Sequence, residues 1–375
     1  MKSNHRVNIV RITELEKHPN ADSLSIVRIG GYQVVVKTEN YIAGDLAIYI
    51  QPDSVVPQAK PFEFLWADKA FPDGVVPEKY RRITVRRFRK EWSEGLILPL
   101  RDFTGGLVHD DRFKYGWLKE GQDVSEALGI THYEPPEPVE STSERKQQYK
   151  WPPKSIRGWI YFLLHLIGID LNGPVGGSNE KGPKNPPPVY DVEALKNFKN
   201  AFEEGEQVVV TEKIHGSNAR YLFKDGKVYA GSRKLWKSAK STCIWRKVLV
   251  QHPWIEIWCR AHEGQTLFGE VVPTQGGFNY GCKEGETKFF AFDVYTENGE
   301  WAVPDQVRTD HFVPILYRGP YSTEEIKRLV DGRSTVPEAH HIREGIVVRP
   351  VPERHVTGLG RLHLKLVSNA FLEKQ

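Results

Sequence analysis

The sequence predicts an α+β protein: a small β-barrel in the first hundred or so residues, then a second domain of antiparallel sheets with flanking helices. Three observations lead there. Short β-rich runs separated by turn residues crowd the N-terminal part. A stretch rich in proline and glycine interrupts the middle, and strands alternating with turns resume beyond Pro188. A chain of 375 residues is also too long for one small core, which favours two or three domains.

In the N-terminal part, Leu24–Ile29, Tyr32–Val36 and Leu46–Ile50 read as strands, divided by Gly30-Gly31, Gly44-Asp45 and Pro52-Asp53. A further pair reads at Arg82–Val85 and Gly95–Leu100. Such a set of short strands fits a barrel such as an OB-fold, placed at residues 1–115. The most basic stretch of the chain, Lys79 to Lys90, lies among these strands, with Tyr80, Phe88 and Trp92 interleaved. Backbone phosphates need positive charge and bases need flat surfaces to stack on. Arg81, Arg82, Arg86, Arg87, Arg89 and Lys90 are therefore candidates for nucleic-acid contact.

Residues 116–188 read as a linker, marked by Pro135-Pro136-Glu137-Pro138, Gly173-Pro174, Gly176-Gly177 and Pro186-Pro187-Pro188. Within it Trp159–Ile169 is apolar but far below the roughly 20 residues that span a bilayer. It is expected to form a buried or docking helix over residues 156–169. After Pro188 a helix is expected at Val192–Phe202, with Leu195, Phe198 and Phe202 on one stripe, opening a domain at 189–375.

Composition narrows the function classes. The chain is 39% hydrophobic and 27% charged, ordinary for a soluble protein with a sizeable core, and its net charge of +4 excludes a global polycation argument. Cys243, Cys259 and Cys282 have no zinc-site spacing and are odd in number, so free thiols in a reducing cytoplasm are expected. No signal peptide or membrane span is expected.

Function is concentrated in Thr211-Glu212-Lys213-Ile214-His215-Gly216-Ser217-Asn218. Val208-Val209-Val210 reads as a β-branched strand and Gly216-Ser217-Asn218 as the turn that closes it, so Lys213 is delivered to the strand end. On an extended backbone Lys213 and His215 share one face and Ile214 the other. A lysine fixed there, beside a polar partner and a close-approach glycine, is built like a covalent nucleophile. Downstream come Ser232-Arg233, Glu270 inside an apolar strand, the aromatic run Phe289-Phe290-Ala291-Phe292, Glu344 opening another apolar strand, and Arg361-Leu362-His363-Leu364-Lys365 in clean alternation. Carboxylates buried in β-runs need partners such as a sugar hydroxyl or a divalent cation.

In this order the motifs resemble those of the covalent nucleotidyltransferase superfamily of ATP-dependent ligases and capping enzymes, whose adenylation domain is ATP-grasp-like. Glu-Lys-Ile-His-Gly-Ser-Asn is similar to the first motif of nick-sealing RNA ligases, with histidine in place of the commoner aspartate. Pro19-Asn20-Ala21-Asp22 and Gly44-Asp45-Leu46 resemble the subgroup with an OB-fold before the transferase domain. The resemblance implies an ATP-dependent RNA ligase that uses Mg2+ or Mn2+ on nicked RNA or an RNA-containing duplex. Lys213 would become a lysyl-adenylate, with its pKa depressed by the metal and by cations such as Lys365. Phe292 would stack on adenine, with Phe290 as alternative, and Glu212 would accept from the amino group. Ile214 would belong to the nucleotide pocket. Arg233 and Glu270 would hold the ribose, Glu344 the metal, directly or through water, and Lys365 the α-phosphate. His215 and Asn218 would act near the phosphates or in later steps.

The last motif departs from the family, which carries two lysines two residues apart; here His363 or Arg361 would supply the second cation. A DNA ligase or capping enzyme, which carries its OB-fold after the last motif, and an RNA-binding protein with an inactive transferase fold are the alternatives.

Overall fold

The computed structural model describes residues 5–103, 113, 116–133, 179–273, 277–302 and 311–374. The apolar helix expected near 156–169 lies outside the described residues.

The N-terminal module is built from short strands: β1 (Val7–Arg11), β2 (Leu24–Ile29), β3 (Tyr32–Lys37), β4 (Leu46–Ile50), β5 (Arg86–Phe88), β6 (Glu91–Ser93) and β7 (Leu96–Pro99). β4 runs antiparallel between β1 and β7, and β2 and β3 form a hairpin closed by Gly30-Gly31. Alternation puts Ile48 and Ile50 into one apolar core and Ala47 and Tyr49 into a second, so β4 is buried on both faces. Three of the expected strands appear as read. The expected strand at Arg82–Val85 does not: Arg82 makes a single bridge to Val55, Ile83 and Val85 turn into the core, and pairing begins at Arg86.

The second module contains β8 (Glu193–Ala194), β9 (Gln207–Lys213), β10 (Ser217–Lys224), β11 (Lys227–Gly231), β12 (Thr266–Val272), β13 (Lys288–Tyr295), β14 (Ile315–Pro320), β15 (Gly345–Pro350) and β16 (Leu364–Val367). Its helices are α1 (Ile244–Gln251), α2 (Trp254–Ala261), α3 (Thr323–Val330) and α4 (Asn369–Leu372). Among the described residues β11, β10, β12 and β13 are central to a seven-stranded sheet, and β8, β16, β15, β9 and β14 form a five-stranded one in that order. Helices α1 and α2 cover the first sheet through Trp245, Val248, Ile255 and Cys259, whereas α3 covers the second through Ile326. A third cluster around Ile214, Val272 and Tyr280 lies where the carboxyl end of β9 meets β12.

The helix expected at Val192–Phe202 is replaced by β8 and one 3-10 turn at Leu195–Asn197. Tertiary pairing overrides the helical spacing, because β8 lies parallel to β16, with Glu193 opposite Leu364 and Ala194 opposite Lys365. Leu195 and Phe202 still reach the core that motivated the reading.

Candidate active site

The valine run of β9 is buried, with β14 and β15 paired along both its edges and Val208 and Val210 packed into the core under α3, and the strand ends by bringing Lys213 opposite Gly345. The amine of Lys213 lies 2.7 Å from Glu344 Oε1, and His215 Nδ1 lies 3.5 Å from Glu344 Oε2. Gly216 is required at the turn: a Cβ there would stand 2.5 Å from the Val271 carbonyl oxygen, and its N–H donates to Glu270 Oε1 at 3.1 Å. Register then places Asn218 opposite Glu270 across β10 and β12.

Lys213, Asn218 and Glu270 line one cavity of about 200 Å³ together with Thr211, Glu212, Ile214, Arg233, Phe292, Val347, Arg349 and Lys365, and Glu344 and His215 stand behind Lys213. Phe292 reaches it through a β-bulge: Phe268 pairs with Asp293 and Gly269 with Ala291, leaving Phe292 as the extra residue turned toward the cavity. Val347 sits opposite Lys365 in the neighbouring strand and supplies a second apolar wall. Phe290 is outside this lining, so of the two stacking candidates Phe292 has the position.

The charges are strongly coupled. Burial alone would push the Lys213 amine down, but the Glu344 and Glu270 carboxylates outweigh it and hold the amine above its ordinary value. Burial pushes the Glu270 carboxyl up to about 8, against the pull of Lys213. Glu344, equally deep, is nevertheless held below the usual carboxylate range by Lys213 and His215. Lys365 is lowered by burial and by the charge of Lys213.

Glu344 Oε2 and Asn218 Oδ1 are buried without a hydrogen-bond partner. Among the described residues no group of three or more His, Cys, Asp and Glu side chains forms a ready cation cage. One buried carboxylate, whose second oxygen has only the His215 ring beside it at 3.5 Å, fits a hard divalent ion that completes its shell from phosphate and water.

The buried Glu212 carboxylate accepts from Ser334 Oγ at 2.5 Å and from the Thr335 N–H and hydroxyl at 2.7 and 2.8 Å. It fastens the 334–336 loop while still lining the cavity. Arg233 lines the cavity with its guanidinium held 2.8 Å from Asp191 Oδ2.

In the last motif Arg361 and His363 are both buried. Arg361 is bound bidentately to Asp293, at 2.5 and 3.0 Å, and again to Glu353, so its charge is consumed behind the cavity wall. His363 is buried with neither ring nitrogen bonded, and burial with the nearby Arg361 lowers it to about 4. Arg349 lines the cavity, with Nη2 donating to the Phe292 carbonyl and Nη1 lying 3.6 Å from Asp293 Oδ1 and 3.5 Å from Glu353 Oε1, so it shares the carboxylates of Arg361. Sequence reasoning missed Arg349, Val347 and Tyr190; Tyr190 packs on Phe292 at 4.6 Å and donates to Asp293. The polar Arg349 within the apolar run of β15 was the available signal.

Of the basic candidates, Arg81 donates to the carbonyls of Val76 and Val56, and Arg82 to Asp53. Both are used inside the barrel module. Arg86, Arg87, Arg89 and Lys90 are exposed.

Comparison with known proteins agrees with this architecture. Residues 206–367 match the RNA ligase family and residues 6–100 match an OB-fold domain family. No curated protein sequence matches the chain. Solved structures of Naegleria gruberi RNA ligase share the fold across nearly the whole chain. One variant with ATP and Mn is 21% identical over 98% of both chains, with TM-score 0.69. The form with PPi is 22% identical over 99% of this chain and 98% of that one, with TM-score 0.68. A variant with AMP and Mn is 21% identical over 99% of both, with TM-score 0.70. Residues 206–367 are thus similar to the RNA ligase family and residues 6–100 to an OB-fold domain, within a fold shared with those ligase structures.

Proposed function

We propose that this chain is an ATP-dependent RNA ligase that joins 3′-hydroxyl and 5′-phosphate ends through a lysyl-AMP intermediate, acting on nicked RNA or an RNA-containing duplex. The observation that carries the reading is the Lys213 amine at the floor of a cavity, 2.7 Å from a buried carboxylate, with Lys365 on the same lining.

In the first step Lys213 Nζ sheds its proton and attacks the α-phosphorus of ATP; the bond to the β-phosphate oxygen breaks and pyrophosphate leaves. Phe292 and Val347, both on the cavity lining, flank the base, and Arg233 and Glu270, on the same lining, hold the ribose hydroxyls. Lys365, on the cavity lining, offsets negative charge at the α-phosphate. Mg2+ or Mn2+, held by Glu344, supplies charge neutralisation at the phosphates when bound. A 5′-phosphate then displaces Lys213 to give a capped 5′ end, and a 3′-hydroxyl displaces AMP and closes the strand. His215 and Asn218 border these later events from the β9–β10 turn.

Among the described residues no helix is long and apolar enough to cross a membrane, and the three buried thiols suit a reducing cytoplasm. Sealing of a nicked duplex carrying either ribose or deoxyribose at the 3′ end tests the proposal. Closure that requires ribose is expected; equal closure of both, or none, overturns it.

A further inference from the structure

The β5–β6 hairpin carries four cations in five exposed residues, Arg86 to Lys90. Its two-residue turn is Arg89-Lys90, with Phe88 paired to Glu91, and both turn residues have positive φ, 49° and 79°. This is the geometry of a type I′ turn, which strongly favours Asn-Gly because side chains of L residues crowd the backbone there. Two long cationic side chains occupy the least tolerant positions of the hairpin.

The turn is held from behind. His18, 1% exposed, donates from Nε2 to the Phe88 carbonyl at 3.0 Å while its Nδ1 accepts from the Asn20 N–H at 3.0 Å. Asn20 Nδ2 donates to the Arg89 carbonyl at 3.0 Å. The support therefore engages only the backbone, and the Arg86, Arg89 and Lys90 side chains make no ion pair among the described residues. Arg87 stacks on Trp92 at 4.0 Å and lies 3.8 Å from Glu373, just beyond α4. The α4 ring of Phe371 is 5.1 Å from the ring of His215, so α4 links the hairpin to the His215–Glu344 pair beside Lys213.

We propose that the β5–β6 hairpin is a phosphate clamp, in which Arg89 and Lys90, assisted by Arg86, grip the backbone of an RNA strand leading to Lys213. Phe88, 44% exposed, offers an adjoining ring for a base. Strain retained at a turn whose side chains have no structural partner is explained by a ligand that uses those charges. The proposal rests on the chain acting on RNA ends, and names the element that holds them.

The test is the double variant Arg89→Asn/Lys90→Gly, which gives the turn its preferred residues and removes both charges. Binding of a fluorescent nicked RNA duplex is followed by anisotropy over a potassium chloride series, beside thermal melting. The variant is expected to melt no lower than wild type, to bind about 10-fold more weakly near 0.1 M salt, and to lose about 2 from the log–log salt slope. Arg89→Lys, which keeps the charge, is expected to keep the slope. A folded double variant with wild-type affinity and slope overturns the clamp, as does an Arg89→Lys variant as weak as the double. Failure of wild type to take label from ATP would sink the ligase reading alone, since the salt slopes still decide the hairpin.

Discussion

Burial would push the Lys213 amine down, yet the neighbouring carboxylates, Glu344 foremost, hold it above its ordinary value. Replacing Glu344 by Gln relieves that hold but also removes the oxygen suited to a divalent ion. If metal binding matters more, Glu344→Gln lowers the rate of label transfer from ATP by about 100-fold. His363 makes a separate prediction. The unfolded chain takes up this proton near 6.5 and the folded chain only near 4, so stability present above 6.5 is lost as pH falls toward 4. Between pH 7.5 and 5 the loss is about 2 kcal/mol by this linkage. Urea melts of wild type should weaken by that much more than those of His363→Leu; equal weakening would refute a buried neutral imidazole. The sequence displayed Lys213, His215 and Glu344 because nucleophile and carboxylate sit at strand ends. It hid the commitments of Glu212 and Arg361, since their partners Ser334, Thr335 and Asp293 are 122, 123 and 68 residues away.

At the scale of elements, strands were legible where β-branched runs alternate between turns, as in β2 and β4. The segment at Val192–Phe202 was misread because three apolar residues at helical spacing also fit a short strand and a turn. Its pairing partner β16 lies at the far end of the chain. The bulge that turns Phe292 outward was invisible, because it is a mismatch between β12 and β13 rather than a property of either. Gly345 makes this register testable. A Cβ there would meet the Leu366 carbonyl and lie 2.8 Å from Val367 Cα, so β15 and β16 would have to separate. Gly345→Ala should cost about 1–3 kcal/mol in urea melts and displace Lys365, with a parallel fall in label transfer. Unchanged stability would mean that the two strands are not packed this closely.

For the whole molecule, the two modules are joined by a buried carboxylate. Glu94, from the β6–β7 turn, accepts from Lys196 Nζ at 2.6 Å and from the Asn369 side-chain amide, while Gly31 N–H donates to the Lys196 carbonyl. Gly31 has no room for a Cβ, which would stand 2.7 Å from Lys196 Cα. Lys196→Met leaves the Glu94 charge buried with its cation removed and should destabilise the protein by about 3 kcal/mol, read in urea melts. A loss below about 1 kcal/mol would show that water reaches Glu94 and that the contact is superficial. The same joint sets α4 beside His215, so the barrel module and the catalytic lysine share one frame. The central claim is that Lys213 is the nucleophile within that frame, and α-32P-labelled ATP tests it most directly. Wild type should retain a label that is stable to alkali and released by acid, as a phosphoramidate requires, and Lys213→Ala should retain none. Equal labelling of Lys213→Ala would contradict the account.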